Sequence, residues 1–301
     1  LLMSITDHLK KEARLLIKPG KSIYFLKKMA LRLNPDNPFR NPVQIGSRYR
    51  QLLSGSLNAL DKADPAPDAR DILLENILSE DPDSFGRIIL SHDHLFCVPK
   101  IALGSGRMYP RADERMRNAA RLFETDQIEL FIGIRNPATW LPAVYAETPH
   151  QSFDSFLNGT EPAYLRWSEV IERIQIALPD LPITVWCNED SPLIWGEILR
   201  AMAGLPSGAK IAGAFDLLSR IMSEEGMRRF RAFLHEHPGI SEPHKRKVMI
   251  AFLDKYALDE AVEEELDIPG WTDEYVDALT DLYERDIEII ANMRNVTLIA
   301  A

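Results

Sequence analysis

Gln127 to Thr148, QIELFIGIRNPATWLPAVYAET, constrains the fold more than any other stretch. Ile128, Leu130, Phe131, Ile132 and Ile134 make a short, nearly continuous apolar run, the pattern of a strand buried on both faces. Arg135-Asn136-Pro137 ends that run. Proline suits the first position of a helix, and Trp140, Leu141, Val144 and Tyr145 give the following segment an apolar side. A buried strand that turns directly into a helix is the building unit of a parallel α/β sheet. Ligands bind at the carboxyl edge of such sheets. An arginine beside a helix N-terminus there is a ready anion site; the same arginine would serve equally as an ion-pair partner at a strand end.

The remaining composition narrows the class. A chain of 301 residues holds one large α/β domain or two smaller ones. A formal charge of −10 argues against a general nucleic-acid binder while leaving room for a local basic pocket. No uncharged apolar stretch of about 18 residues occurs, so no membrane span is expected, and no signal peptide is visible. Cys97 and Cys187 sit in apolar surroundings and make no disulfide framework. Buried free thiols in a reducing cytoplasm are the expectation.

Further elements follow from periodicity and punctuation. Residues 1–16 read as a helix, and Leu16 to Tyr24 as a turn around Pro19-Gly20. Pro35, Pro38 and Pro42 make 34–42 a loop. Helices are expected near 44–62 and 68–79, joined by ADPAPD. Arg87 to Leu90 reads as a short buried strand ending at Ser91-His92-Asp93-His94. Pro110 is placed at the first position of a helix reaching Phe123. Phe153–Leu157 and Tyr164–Leu178 are helical, Pro182–Cys187 is a strand, and a helix over 192–203 ends at Gly204. From Phe215 to Leu258 the chain is helical with a break at His237-Pro238-Gly239. Gly270-Trp271-Thr272 caps an acidic helix over 273–292, and Val296–Ile299 is a final strand. Strands separated by helices predict an α/β fold, a parallel sheet flanked by helices on both faces. Residues 1–210 form the α/β core, and 211–301 a helical region with a final short strand, packed on the core as one domain.

Several clusters carry chemistry. Ser91 to His94 would lie at the same sheet edge as Arg135, and two histidines with a carboxylate suit acid–base work; a plain polar loop is the simpler alternative. No third His or Cys lies at familiar spacing, so no metal is expected. Asn188 or Glu189 can cap the helix after the 182–187 strand, with Asp190 in its first turn. Pro19-Gly20-Lys21-Ser22 looks like the end of a phosphate-binding loop whose first glycine is replaced by Leu15. A turn with an exposed lysine explains it more simply. The acidic runs 259–267 and 273–288 read as solvated helix faces.

Taken together, these segments resemble the sulfotransferase family that uses 3′-phosphoadenosine 5′-phosphosulfate (PAPS). Ile134-Arg135-Asn136-Pro137, with Tyr145 downstream, is similar to the strand–R-N-P–helix element that holds the cofactor's 3′-phosphate. Ile88 to Leu103 resembles the strand and loop that bring the catalytic base, in an H-L-x-x-x-P-like form at His94-Leu95. The S-x-E-x-L form of bacterial members instead puts Asp93 at the acidic position. Val185 to Gly204 is similar to the aromatic-x-E-D segment and its helix. The likeness spans about residues 85–205 and implies a P-loop-NTPase-like sheet. It also implies PAPS as co-substrate without a metal, Arg135 on the 3′-phosphate, and Asp93, His94 or His92, in that order, as base.

Two departures stand out. Ala143 occupies the place, eight residues after the arginine, where the family carries a phosphate-holding serine; Thr139, one turn earlier, is the substitute. The N-terminal K-[ST]-x-[ST]-[ST] loop is not found. Either Lys21 and Ser22 are its degenerate form, or residues 1–14 are the helix that follows a loop missing from this chain, which is the favoured reading. The expected activity is sulfuryl transfer to a hydroxyl or amine of a small-molecule or glycan acceptor. The alternatives are a non-catalytic binding or interaction protein of the same fold, and a P-loop kinase or NTPase using Lys21-Ser22. A homodimer through an exposed apolar face of a C-terminal helix is compatible with the sequence. Trp140, Trp167, Trp195 and Trp271 would stack on a sugar or fill the core, with core the default.

Overall fold

A computed structural model describes residues 48–78, 86–258, 261, 268 and 270–301. The expected helix over 1–16, the loop 34–42 and the Lys21-Ser22 turn lie outside these residues.

The centre is a parallel three-stranded sheet, β3 (Leu130–Ile134), β4 (Ile183–Cys187) and β5 (Val296–Ile299), in that spatial order. Leu130 pairs with Ile183 and Ile134 with Cys187; Ile183 pairs with Val296 and Trp186 with Ile299. Before it come α1 (Arg48–Ala59), α2 (Ala69–Ile77), a small hairpin of β1 (Leu103–Gly104) and β2 (Arg107–Met108), and α3 (Ala112–Leu122). Between β3 and β4 run α4 (Pro137–Ala146), α5 (Phe153–Leu157) and α6 (Trp167–Ala177). After β4 come α7 (Ser191–Met202), α8 (Leu218–Ile221), α9 (Glu224–Glu236), α10 (Glu242–Tyr256) and α11 (Asp273–Ala291).

Alternation along the strands splits the core. Leu130, Ile132, Ile134, Ile183 and Val185 enter the main cluster with side chains of α1, α3, α6 and α11. Phe131, Trp186 and Ile299 turn the other way onto Ile194, Trp195 and Ile198 of α7. Helices therefore cover both faces, and the chain is α/β. A third cluster ties α8, α9 and α10 through Leu218, Met222, Phe230 and Met249. The C-terminal region is no appendage, because its last strand completes the sheet and Tyr283 and Ile290 of α11 enter the main core. No helix among the described residues is long and apolar enough to cross a membrane.

The structure corrects some local expectations. Arg87 to Leu90 has no assigned secondary structure and belongs to no sheet among the described residues. Ile88 and Leu90 only half-bury against the core, and Arg87 instead holds Glu129 with 2.8 and 2.9 Å bonds. Pro110 does not begin α3, which starts at Ala112; it belongs to a turn in which the Ala112 amide donates to Tyr109 O. The helical stretch after Phe215 breaks a second time at Met222-Ser223, where Met222 bridges Ala257.

Candidate functional site

β3 carries Arg135 to the carboxyl edge of the sheet. Asn136 then caps α4 with its own side chain, accepting from the Ala138 amide at 2.9 Å. Arg135 is buried. Its Nε donates to Thr139 Oγ1 at 2.7 Å, and that hydroxyl donates to Asn136 O. Thr139 therefore steadies the guanidinium from one helical turn away and is not among the cavity-lining residues. The arginine's carbonyl accepts from the Trp167 indole at 2.7 Å.

The Ser91–His94 loop is held by α1. Tyr49 donates to Ser91 O, Arg50 pairs with Asp93 at 2.9 Å, and Ser54 Oγ lies 2.7 Å from His92 Nε2. Burial pushes the Tyr49 hydroxyl up to about 12, which keeps it a donor. The other nitrogen of His92, Nδ1, lies 3.1 Å from the His94 amide nitrogen and 3.5 Å from Asp93 Oδ1. His92 is thus a loop-organising residue rather than a free base. Burial alone would raise the Asp93 carboxyl, but the neighbouring His92 and the Arg50 charge outweigh it and hold the group well below the usual carboxylate range. Asp93 is the ion-pair partner of Arg50 and lacks the raised pKa expected of a desolvated base.

These two segments meet around one cavity of about 230 Å³. Asp93 and His94 line it from the loop, Arg135 and Gly133 from β3, and Asn188 from the end of β4. Ala143 and Glu147 of α4 and its C-cap also line it, and Ala143 brings no hydroxyl. Tyr109, Trp140 and Trp167 form an aromatic wall, with Tyr109 and Trp167 centroids 5.7 Å apart. Both tryptophans are also core residues, so the alternatives of core and ligand wall coexist. Burial pushes the Tyr109 hydroxyl well above its ordinary range and the Cys97 thiol up to about 11. Cys97 and Cys187 are free thiols, and Cys97 stays protonated at neutral pH. Among the described residues no group of His, Cys, Asp or Glu is arranged to hold a metal ion.

Two further expectations change. No side chain caps α7: Asp190 occupies that position without a cap hydrogen bond. Glu189 instead reaches across the sheet edge, where Oε1 accepts the Asn136 amide at 2.8 Å and Oε2 accepts from Tyr283 at 3.2 Å. Sequence reasoning also missed Tyr109. The signal was Ser105-Gly106, whose φ values of 54° and 72° make the two-residue turn of the β1–β2 hairpin and set Tyr109 beside Trp140.

Compared with protein-family models, curated proteins and solved structures, the chain shows no match.

Proposed function

We propose that the cavity binds PAPS through its 3′-phosphate at Arg135, and that the protein transfers the sulfuryl group to a hydroxyl or amine. The supporting observation is convergence: Asp93-His94, Arg135 and Asn188, from three separate segments, line one cavity at the carboxyl edge of a parallel sheet. A P-loop-like fold belongs to the same proposal. In this reading His94 is the base, because Asp93 is committed to Arg50. It takes the proton as the acceptor oxygen or nitrogen bonds to sulfur. The bond from sulfur to the bridging oxygen breaks, and adenosine 3′,5′-bisphosphate leaves. Positioning and charge stabilisation supply most of the rate.

A second reading, a binding protein without turnover, draws on Ala143 and on the Asp93–Arg50 pair. One experiment separates them. Calorimetry with adenosine 3′,5′-bisphosphate should show binding that Arg135→Ala removes while circular dichroism stays native. Release of that product from PAPS in the presence of an acceptor panel then supports transfer. Binding without release supports the second reading, and absence of binding by the unmodified chain ends the first and favours an interaction protein that lost part of the cofactor site.

A further inference from the structure

Asn188 follows β4 by one residue, and Arg135 follows β3 by one residue. The residues before them, Cys187 and Ile134, are partners in the parallel ladder. Neighbouring strands lie about 4.8 Å apart, so the two side chains leave the sheet edge side by side, and both line the cavity. The amide nitrogen of Asn188 is buried and meets no acceptor among the described residues. Buried donors are nearly always matched, and an unmatched one in a cavity wall points to a missing acceptor. Gly133, one alternation before Arg135, lines the same wall, and the Trp186 indole fills the space where its Cβ would stand.

We infer that Asn188 and Arg135 form a two-donor seat for one tetrahedral oxyanion, and that the seat takes a phosphate or sulfate monoester of a hydroxylated compound rather than a free anion. The second half follows from the acceptors beside the seat. Asp93 and Glu147 line the same cavity and can accept hydrogen bonds from the hydroxyls of an ester, which a free anion lacks. The inference deepens the PAPS reading and rests on it only for the identity of the ester.

The test is calorimetry on the full chain with adenosine 3′,5′-bisphosphate, glucose 6-phosphate and inorganic sulfate. Asn188→Ala should weaken the tightest monoester by about tenfold or more, the loss of one hydrogen bond to a charged group. Asn188→Asp should weaken it further, and inorganic sulfate should bind less tightly than either ester. The melting temperature of Asn188→Ala should not change, because the deleted donor has no partner in the free protein. If Arg135→Ala abolishes bisphosphate binding while Asn188→Ala does not alter it, the two-donor seat is wrong and the PAPS reading survives. If only the sugar phosphate binds, in an Asn188-dependent way, the seat stands and the PAPS reading falls. A drop in melting temperature with unchanged affinity, tighter binding of sulfate than of both esters, or no binding of either ester overturns the inference.

Discussion

The indole of Trp167 donates to the carbonyl of Arg135 at 2.7 Å, so the first residue of α6 fixes the backbone that carries the site's buried cation. That contact is one link of a longer chain. Asp286 on α11, itself buried, accepts the Trp167 amide at 2.7 Å and the Ser168 amide at 3.2 Å, and it also bonds the Ser168 hydroxyl. The α6 N-terminus has no cap from its own segment, and a carboxylate from α11 supplies one. The C-terminal region therefore reaches Arg135 through one tryptophan.

Trp167→Phe keeps most of the ring and removes the donor. It leaves the Arg135 carbonyl without that partner, which should cost about 1–3 kcal/mol in urea unfolding. Affinity of the cavity for an anion should fall as well, since Arg135 loses its backbone anchor. Unchanged stability together with unchanged affinity would show that the indole bond does not position the arginine.

Asp286→Ala deletes the external cap and strands two amides and a hydroxyl. A loss of about 2–4 kcal/mol is expected, above an ordinary cap because the group is buried. Asp286→Asn, which keeps an acceptor oxygen, should lose less. Equal losses for the two variants in chemical denaturation would contradict the capping role.

Asp93 offers a pH signature. Its folded carboxyl is held below the ordinary range, so its contribution is fully present above the unfolded value, near pH 4. It declines progressively below that value and is gone once pH passes the folded value. The stability difference between the unmodified chain and Asp93→Asn should be constant from pH 7 to 5 and shrink toward pH 3. If a sulfuryl-transfer assay is established, Asp93→Asn should retain most of the rate while His94→Ala loses it. The reverse result would restore Asp93 as the base.

How far these relationships could be read in advance depended on their range in sequence. β3, β4 and β5 are short, largely apolar runs, and their local pattern sufficed. Arg135 and the Ser91–His94 loop share a cavity, as their places at strand ends suggested, although the segment before the loop forms no ladder. What escaped were partners contributed from afar. Arg50 meets Asp93 across 43 residues and Asp286 meets Trp167 across 119, with no local signature in either case. Asn188 looked like a cap because asparagine before a helix usually is one. Only the tertiary arrangement shows that the residue lines a cavity and that its amide nitrogen meets no partner among the described residues.

Two glycines test the packing itself, with opposite expected signs. Gly55 lies on the exposed side of α1, and a Cβ there would meet nothing within 4 Å. Gly55→Ala should stabilise by roughly 0.5–1 kcal/mol, since alanine loses less backbone entropy on becoming helical. Gly226 sits in the first turn of α9, where a Cβ would stand 2.5 Å from Tyr256 Cβ and 2.8 Å from Met222 Cγ. The first of those atoms is tied to the α10 backbone and cannot rotate away. The two helices would have to separate where the Ser223 amide bonds Tyr256 O at 2.8 Å. Overpacking of this kind costs about 1–3 kcal/mol, which exceeds the helical preference of alanine over glycine. Gly226→Ala should therefore lower the urea midpoint while Gly55→Ala raises it. A rise in both would mean that α9 and α10 pack more loosely than these distances require.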